Sequence, residues 1–353
     1  MKRLCDKFSD DEVRKKLDGA SVSAGTRQVY LGAMRRAQSV MGGMSVCEIL
    51  ARPNQSFALL EDALRPKSAQ TLATTIGGLL GVMKHAGMRE DKEHGGIAAR
   101  FGKRWQAMYQ PLMKELDERR LAGTPSERQE AGAVSWLAVV KKNEALSDAG
   151  MKRTATGEDI QDALLSSFYV DMEPRRQGDY HRVYVMMTEG GRAAAEAEPS
   201  HIDMTLKKPV IVVKEHKTAR GGGPWTAVLP STTVKLLRRR MSRKGASSYV
   251  FAREDGKPYT TKGFTYYHNR KLREWFGGAV SNNSLRHARA SVIQSDFTMT
   301  SGEKDAAALA MGHTPGMNKR YAYRPVVMDG DKVEIVGRRR ADGRLVVYEC
   351  KPK

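Results

Sequence analysis

Cysteine is scarce in this chain of 353 residues, and acidic charge falls well short of basic. The three cysteines, Cys5, Cys47 and Cys350, are scattered, and no two stand at metal-ligand or redox spacing. So odd and sparse a set suits a reducing compartment. No apolar run approaches the roughly 20 residues that a membrane span needs. The opening Met1-Lys2-Arg3-Leu4-Cys5-Asp6 lacks the apolar stretch of a signal peptide. The expected location is therefore intracellular, in the nucleus or in whatever host compartment holds DNA. None of the eight histidines belongs to a metal-ligand cluster, so no metal and no other cofactor is expected.

Positive charge is what the chain has in excess. Lys and Arg number 60 against 40 Asp and Glu, a net charge of +20. Such an imbalance speaks about partners rather than fold, and nucleic acid is the commonest polyanionic partner. With 40% hydrophobic residues the chain can bury real cores, and its length allows two domains and a small extra module.

Residues 1–22 read as a short, charged, frayed segment. From Ser23 the text turns helical, with Thr26, Tyr30, Met34 and Ala37 on one face. Further helices are expected at Ser68–His85, where Gly77, Gly78 and Gly81 permit close packing, and at Ile97–Leu121. Residues 23–120 thus read as a small helical domain. Ser126 and Gln129 form a capping box for a helix running through Trp136 to Val140, and a basic linker follows up to residue 157. Residues 158–325 mix helix and strand. The β-branched run Val210–Val213 and the stretch Trp225–Leu229 read as strands joined by a glycine-rich hairpin turn. Residues 193–199 read as a surface connection, and Trp225 as packing the hairpin. Helices are expected at Thr232–Met241 and Thr261–Phe276. Lys235–Lys244 is a basic run, read as a solvated helix face near DNA. Residues 326–353 read as a β-hairpin tail with an Asp-Gly turn. The expected fold is mainly α with a small antiparallel sheet.

One constellation carries chemistry. Arg286, then His313, then Tyr321 supply two groups that can hold a phosphodiester and one that can attack it. Phosphodiester transfer to a tyrosine needs cations on the non-bridging oxygens, a proton route and a covalent intermediate. Arginine suits the clamp because its planar fork grips two oxygens.

In order, Asn283-Ser284-Leu285-Arg286-His287, Met311-Gly312-His313-Thr314 and Arg320-Tyr321 resemble signature boxes of the tyrosine recombinase (integrase) family. His216-Lys217-Thr218-Ala219, before the glycine turn, resembles that family's lysine hairpin. The resemblance covers about residues 23–325. It implies a helical core-binding domain and a mixed α+β catalytic domain that clamp duplex DNA as a homotetramer. In the roles it implies, Arg286 clamps the phosphate and His313 hydrogen-bonds it. Lys217 protonates the leaving 5′ oxygen, and Tyr321 becomes a 3′-phosphotyrosine. The first clamp arginine has two candidates, Arg176 and Arg192. Arg176 is favoured because the β-prone stretch before Arg192 poorly supports a buried helix leading to it. Arg175 is expected to meet a backbone phosphate. Asn283 stands where the family carries His or Lys; it can donate a hydrogen bond to substrate but cannot exchange a proton. His287 is expected to face elsewhere. Tyr323 is the alternative to Tyr321. Glu173-Pro174-Arg175-Arg176 resembles the viral and mobile-element branch of the family. A type IB topoisomerase and a catalytically inactive DNA-binding descendant are the alternative functions.

Overall fold

The computed structural model describes residue 5 and residues 8–86, 97–123, 125–217 and 219–322, with backbone alone at 220, 221, 333–339 and 345–350. The chain divides into two compact units, residues 1–119 and 120–353.

The first unit is helical: α1 (Asp10–Gly19), α2 (Ala24–Val40), α3 (Val46–Leu50), α4 (Pro53–Leu64), α5 (Ala69–His85) and α6 (Ile97–Leu121). Side-chain oxygens of Ser9, Ser23, Ser45 and Ser68 each accept from the backbone N–H three residues on, which fixes four helix starts. The segment expected to fray is ordered over α1, where Val13 and Leu17 are fully buried. Its many charges hid that two-residue apolar face. Helices α2 and α5 pack through glycine. A Cβ at Gly78 would stand 2.4 Å from the Ala33 Cβ. Trp105 of α6 is fully buried and donates to the Leu50 carbonyl at 3.0 Å. Cys5 and Cys47, expected to stand apart, are joined as a disulfide with Cα atoms 5.4 Å apart.

The second unit begins with α7 (Glu127–Ala131), α8 (Trp136–Met151) and α9 (Gly157–Val170). The Ser126–Gln129 capping box is present, but it opens a short helix that ends before a separate one starts at Trp136. Next come α10 (Gln177–Tyr180), β1 (Val183–Met186), α11 (Arg192–Ala197), β2 (Ser200–Asp203), β3 (Val210–Val213), α12 (Ala219–Gly222) and β4 (Trp225–Val228). The unit then runs through α13 (Ser231–Met241), α14 (Thr261–Phe276), α15 (Asn282–Ser295), α16 (Ser301–Ala310) and α17 (Pro315–Tyr321). The fold is mostly helical with one small sheet, as expected, but the sheet is mixed. Its order is β1-β2-β3-β4, with β1 and β2 parallel and the other pairs antiparallel. The crossover that makes the first pair parallel contains α11, in the stretch read as a surface connection. Strands β5 (Val333–Arg339) and β6 (Leu345–Cys350) pair antiparallel, while the Asp-Gly turn between them lies outside the described residues.

Helix α9 is the spine of the second core, with every residue from Ala163 to Val170 buried. It is locked to α14 by Lys271, whose Nζ lies 2.6 Å from Glu158 and 3.1 Å from Asp162. Burial raises the Asp162 pKa against the pull of Lys271, which is itself raised by its carboxylate partners. Among the described residues, no helix is long and apolar enough to cross a membrane.

Removing one member of a buried pair leaves the other uncompensated. Lys271→Ala is expected to lower unfolding free energy by about 3 kcal/mol, measured by urea denaturation. Adding Asp162→Asn should recover part of that loss.

Candidate active site

Arg175, Arg176, Arg286, His313 and Tyr321 gather around the turn between α16 and α17. That turn runs through Met311, Gly312 and His313, and Gly312 takes φ +70°, a conformation that disfavours any Cβ. A Cβ there would also lie 3.4 Å from Arg175 Nη2 and 3.5 Å from Arg176 Nη1. Glycine therefore lets both arginines close on the turn.

Arg286 projects from α15 and is 1% exposed. Its Nη1 donates to the Pro174 carbonyl at 2.7 Å and to the Met311 carbonyl at 2.9 Å, and its Nη2 donates to His313 Nε2. Burial, and then the charge of nearby Arg176, lower its pKa to about 10, so it stays cationic at neutral pH. The Pro174 carbonyl is presented by a strained turn. Glu173 has φ 78°, rare for a residue with a Cβ, and its carboxylate is gripped by Arg289 at 2.7 Å.

His313 is buried beside Arg286. Arginine can only donate, so His313 Nε2 must be the unprotonated acceptor. The proton then sits on Nδ1, which faces Asn318 Oδ1 at 3.4 Å. Burial first, and then the Arg286 charge, hold its pKa down at about 3.

Tyr321 ends α17 with its ring between two histidines. Its centroid lies 4.3 Å from that of His313 and 4.5 Å from that of His287, and the Arg286 guanidinium lies 5.8 Å from it. His287 thus lies against Tyr321 instead of facing elsewhere. Residue spacing could not reveal this, because the contact depends on where α17 docks.

The two neighbouring arginines stand in different surroundings. Arg176 is half-buried, and its Nη1 reaches the Gly312 carbonyl at 3.3 Å. Arg175, expected to meet a backbone phosphate, is 1% exposed and committed to protein partners. It pairs with Asp179 at 2.9 Å, donates to the Ala310 carbonyl at 2.8 Å and lies 4.2 Å from the Trp225 ring. Its own carbonyl accepts from Asn282 Nδ2 at 3.1 Å. Burial and these partners leave it no open face for DNA. Arg192 stands on the surface, paired with Glu189 at 2.6 Å.

Lys217 is exposed at a turn after β3, and no hydrogen bond or ion pair joins it to the other candidates among the described residues. Its hairpin is nevertheless tied to the site, because Trp225 at the start of β4 covers Arg175. Trp225 therefore packs, as expected, with a guanidinium as its neighbour. Asn283 is exposed at the start of α15. Tyr323 lies outside the described residues. Among the described residues, no group of three or more His, Cys, Asp or Glu side chains is placed to hold a metal ion.

The fold has known counterparts. Over 94% of its length the chain is similar to a lambda integrase dimer bound to a COC′ core site, covering 98% of that chain at 13% identity and a TM-score of 0.52. It also matches a crystal structure of XerA recombinase over 90% of its length and 93% of that chain, at 14% identity and a TM-score of 0.36. No family model and no curated protein matches the sequence. At these identities the first likeness establishes the fold: the chain has the fold of a tyrosine recombinase.

Gly312→Ala is expected to cost about 1–2 kcal/mol, read from the urea midpoint. A pH effect follows from the neutral histidines. His313, and His268 in the core behind the site, are both held at about 3 by burial. An unfolded histidine titrates near 6.5. As pH falls from about 6.5 towards 3, the unfolded chain takes up protons that the folded chain refuses, and stability drops. His268→Phe should flatten the fall in unfolding free energy between pH 7 and pH 5. An unchanged slope would contradict this.

Proposed function

We propose that the chain is a site-specific DNA recombinase or integrase that cuts and rejoins strands through a 3′-phosphotyrosine. One observation carries the reading. Arg286, His313 and Tyr321, spread over three helices and turns, converge with Arg176 on one glycine turn, within a fold shared with lambda integrase.

In the proposed reaction Arg176 and Arg286 take the non-bridging oxygens of the scissile phosphate. Both now hold backbone carbonyls or a neutral histidine, partners that an anion outcompetes because charge-assisted hydrogen bonds are stronger. His313 adds a hydrogen bond to the same phosphate, whose negative charge opposes the effects that keep this imidazole neutral. The Tyr321 hydroxyl oxygen gives up its proton to solvent water and bonds to phosphorus as the bond to the 5′ oxygen breaks. Lys217, exposed at its turn, delivers a proton to that oxygen. The phosphotyrosine keeps the bond energy for the reverse transfer to a new 5′ hydroxyl. Asn283, exposed beside the site, binds substrate without exchanging protons.

The net charge of +20 supports duplex DNA as the partner, with phosphate contacts supplying most of the affinity. We propose a homotetramer exchanging strands pairwise, in a mobile or viral element, acting where its target DNA lies. The topoisomerase alternative shares the chemistry but would relax a plasmid that carries no recombination site.

A nicked duplex that loses its 5′ fragment after cleavage should trap a covalent adduct. Tyr321→Phe should abolish that adduct while leaving DNA binding intact. Loss of the adduct in Tyr323→Phe instead would move the nucleophile. Tight binding with no adduct in the unaltered chain would favour the inactive descendant.

A further inference from the structure

The last turn of α17 has one unusual partner. A helix leaves its final carbonyls without intrahelical donors, and the Tyr321 carbonyl is one of these. His287 Nδ1 reaches it at 2.8 Å. A carbonyl can only accept, so Nδ1 carries the proton and Nε2 is bare. Gln129 Nε2 lies 3.4 Å from that second nitrogen and can donate to it. Both ring nitrogens therefore have complementary partners in a single tautomer. The same imidazole lies flat against the phenol, with the two planes 14° apart. It is half-buried in a position set by α15, the helix that also carries Arg286. The backbone and the ring of Tyr321 are thus both fixed by one side chain, on the helix of the clamp arginine.

We propose that His287 is the positioning residue that seats Tyr321 against Arg286 and His313 of its own chain. This rests on Tyr321 being the nucleophile. Helix α17 has only seven residues and is capped at its start by Thr314, so little within the helix itself fixes the direction of the tyrosine. The hydrogen bond sets the height of the last turn, and the stack sets the tilt of the ring. Arg286 leaves α15 one residue earlier, so clamp and nucleophile share a rigid support. In this role His287 acts through the backbone and ring of Tyr321 and exchanges no proton in the reaction. Its effect is on alignment, and misalignment of a reacting group by about 1 Å can cost about a hundredfold in rate.

The test uses the full chain and the nicked duplex, with adduct formation timed at saturating DNA and affinity measured separately. His287→Ala should slow adduct formation ten- to a hundredfold, roughly as expected for lost alignment, with DNA affinity unchanged. His287→Asn puts an amide N–H where Nδ1–H stands and should restore part of the rate. His287→Phe keeps the stack without the donor and should fall between Ala and the unaltered chain. Two results would overturn the proposal: a His287→Ala rate equal to that of the unaltered chain, or rate and affinity falling together in all three variants. If Tyr321→Phe still forms the adduct, the nucleophile assignment fails, an outcome that is read separately from the His287 series.

Discussion

The buried ion pair between Arg175 and Asp179 is the contact on which the rest of the site depends. One guanidinium that solvent cannot reach holds a carboxylate of α10, the last carbonyl of α16 and the indole that opens β4. Its backbone carbonyl holds the first residue of α15. Four segments separated by up to 135 residues are thereby registered on a single side chain. A buried charge is tolerated only when it is paired and hydrogen-bonded. That requirement ties Arg175 to Asp179, and drift of α16 or β4 would cost the guanidinium a further partner. This buried guanidinium fixes the relative positions of the start of α15, which carries Arg286, the end of α16, which leads to His313, and the start of β4.

Around that anchor, the two arginines proposed to clamp the phosphate are held by partners that a phosphate can replace. Arg286 is satisfied by two carbonyls and a neutral imidazole, and Arg176 by one carbonyl. None of these is a carboxylate, so neither cation is neutralised before substrate arrives. Such preorganisation lowers the reorganisation needed when charge builds on the phosphate. Lys217 is different, standing exposed on a turn whose base alone is fixed through Trp225. In the proposed mechanism the anion clamp is built in advance, whereas Lys217, the proposed proton donor, stands exposed outside it.

Much of this was legible in the sequence because the signals were local. The β-branched run Val210–Val213 is β3, and Thr261–Phe276 is α14 with the bounds expected. The spacing of Arg286, His313 and Tyr321 was enough to group them. What stayed hidden depended on contacts across the chain. Adjacent arginines at 175 and 176 look alike in sequence, and only Asp179 and a carbonyl of α16 decide which one turns inward. The i, i+4 spacing of Arg175 and Asp179 was the one available hint. His287 sits about 100° round the helix from Arg286, and only the docking of α17 brings Tyr321 to that side. The parallel pairing of β1 with β2 follows from a crossover helix in a stretch that reads as a loop.

In the proposed mechanism Tyr321, seated among Arg286, His313 and His287, is the nucleophile that captures DNA. Peptide mapping of a trapped protein–DNA complex by mass spectrometry tests it most directly. The account predicts a nucleotide remnant carried by Tyr321 through a phosphodiester to its phenol. A remnant on any other residue, or none in a complex that has demonstrably cut its strand, would contradict it.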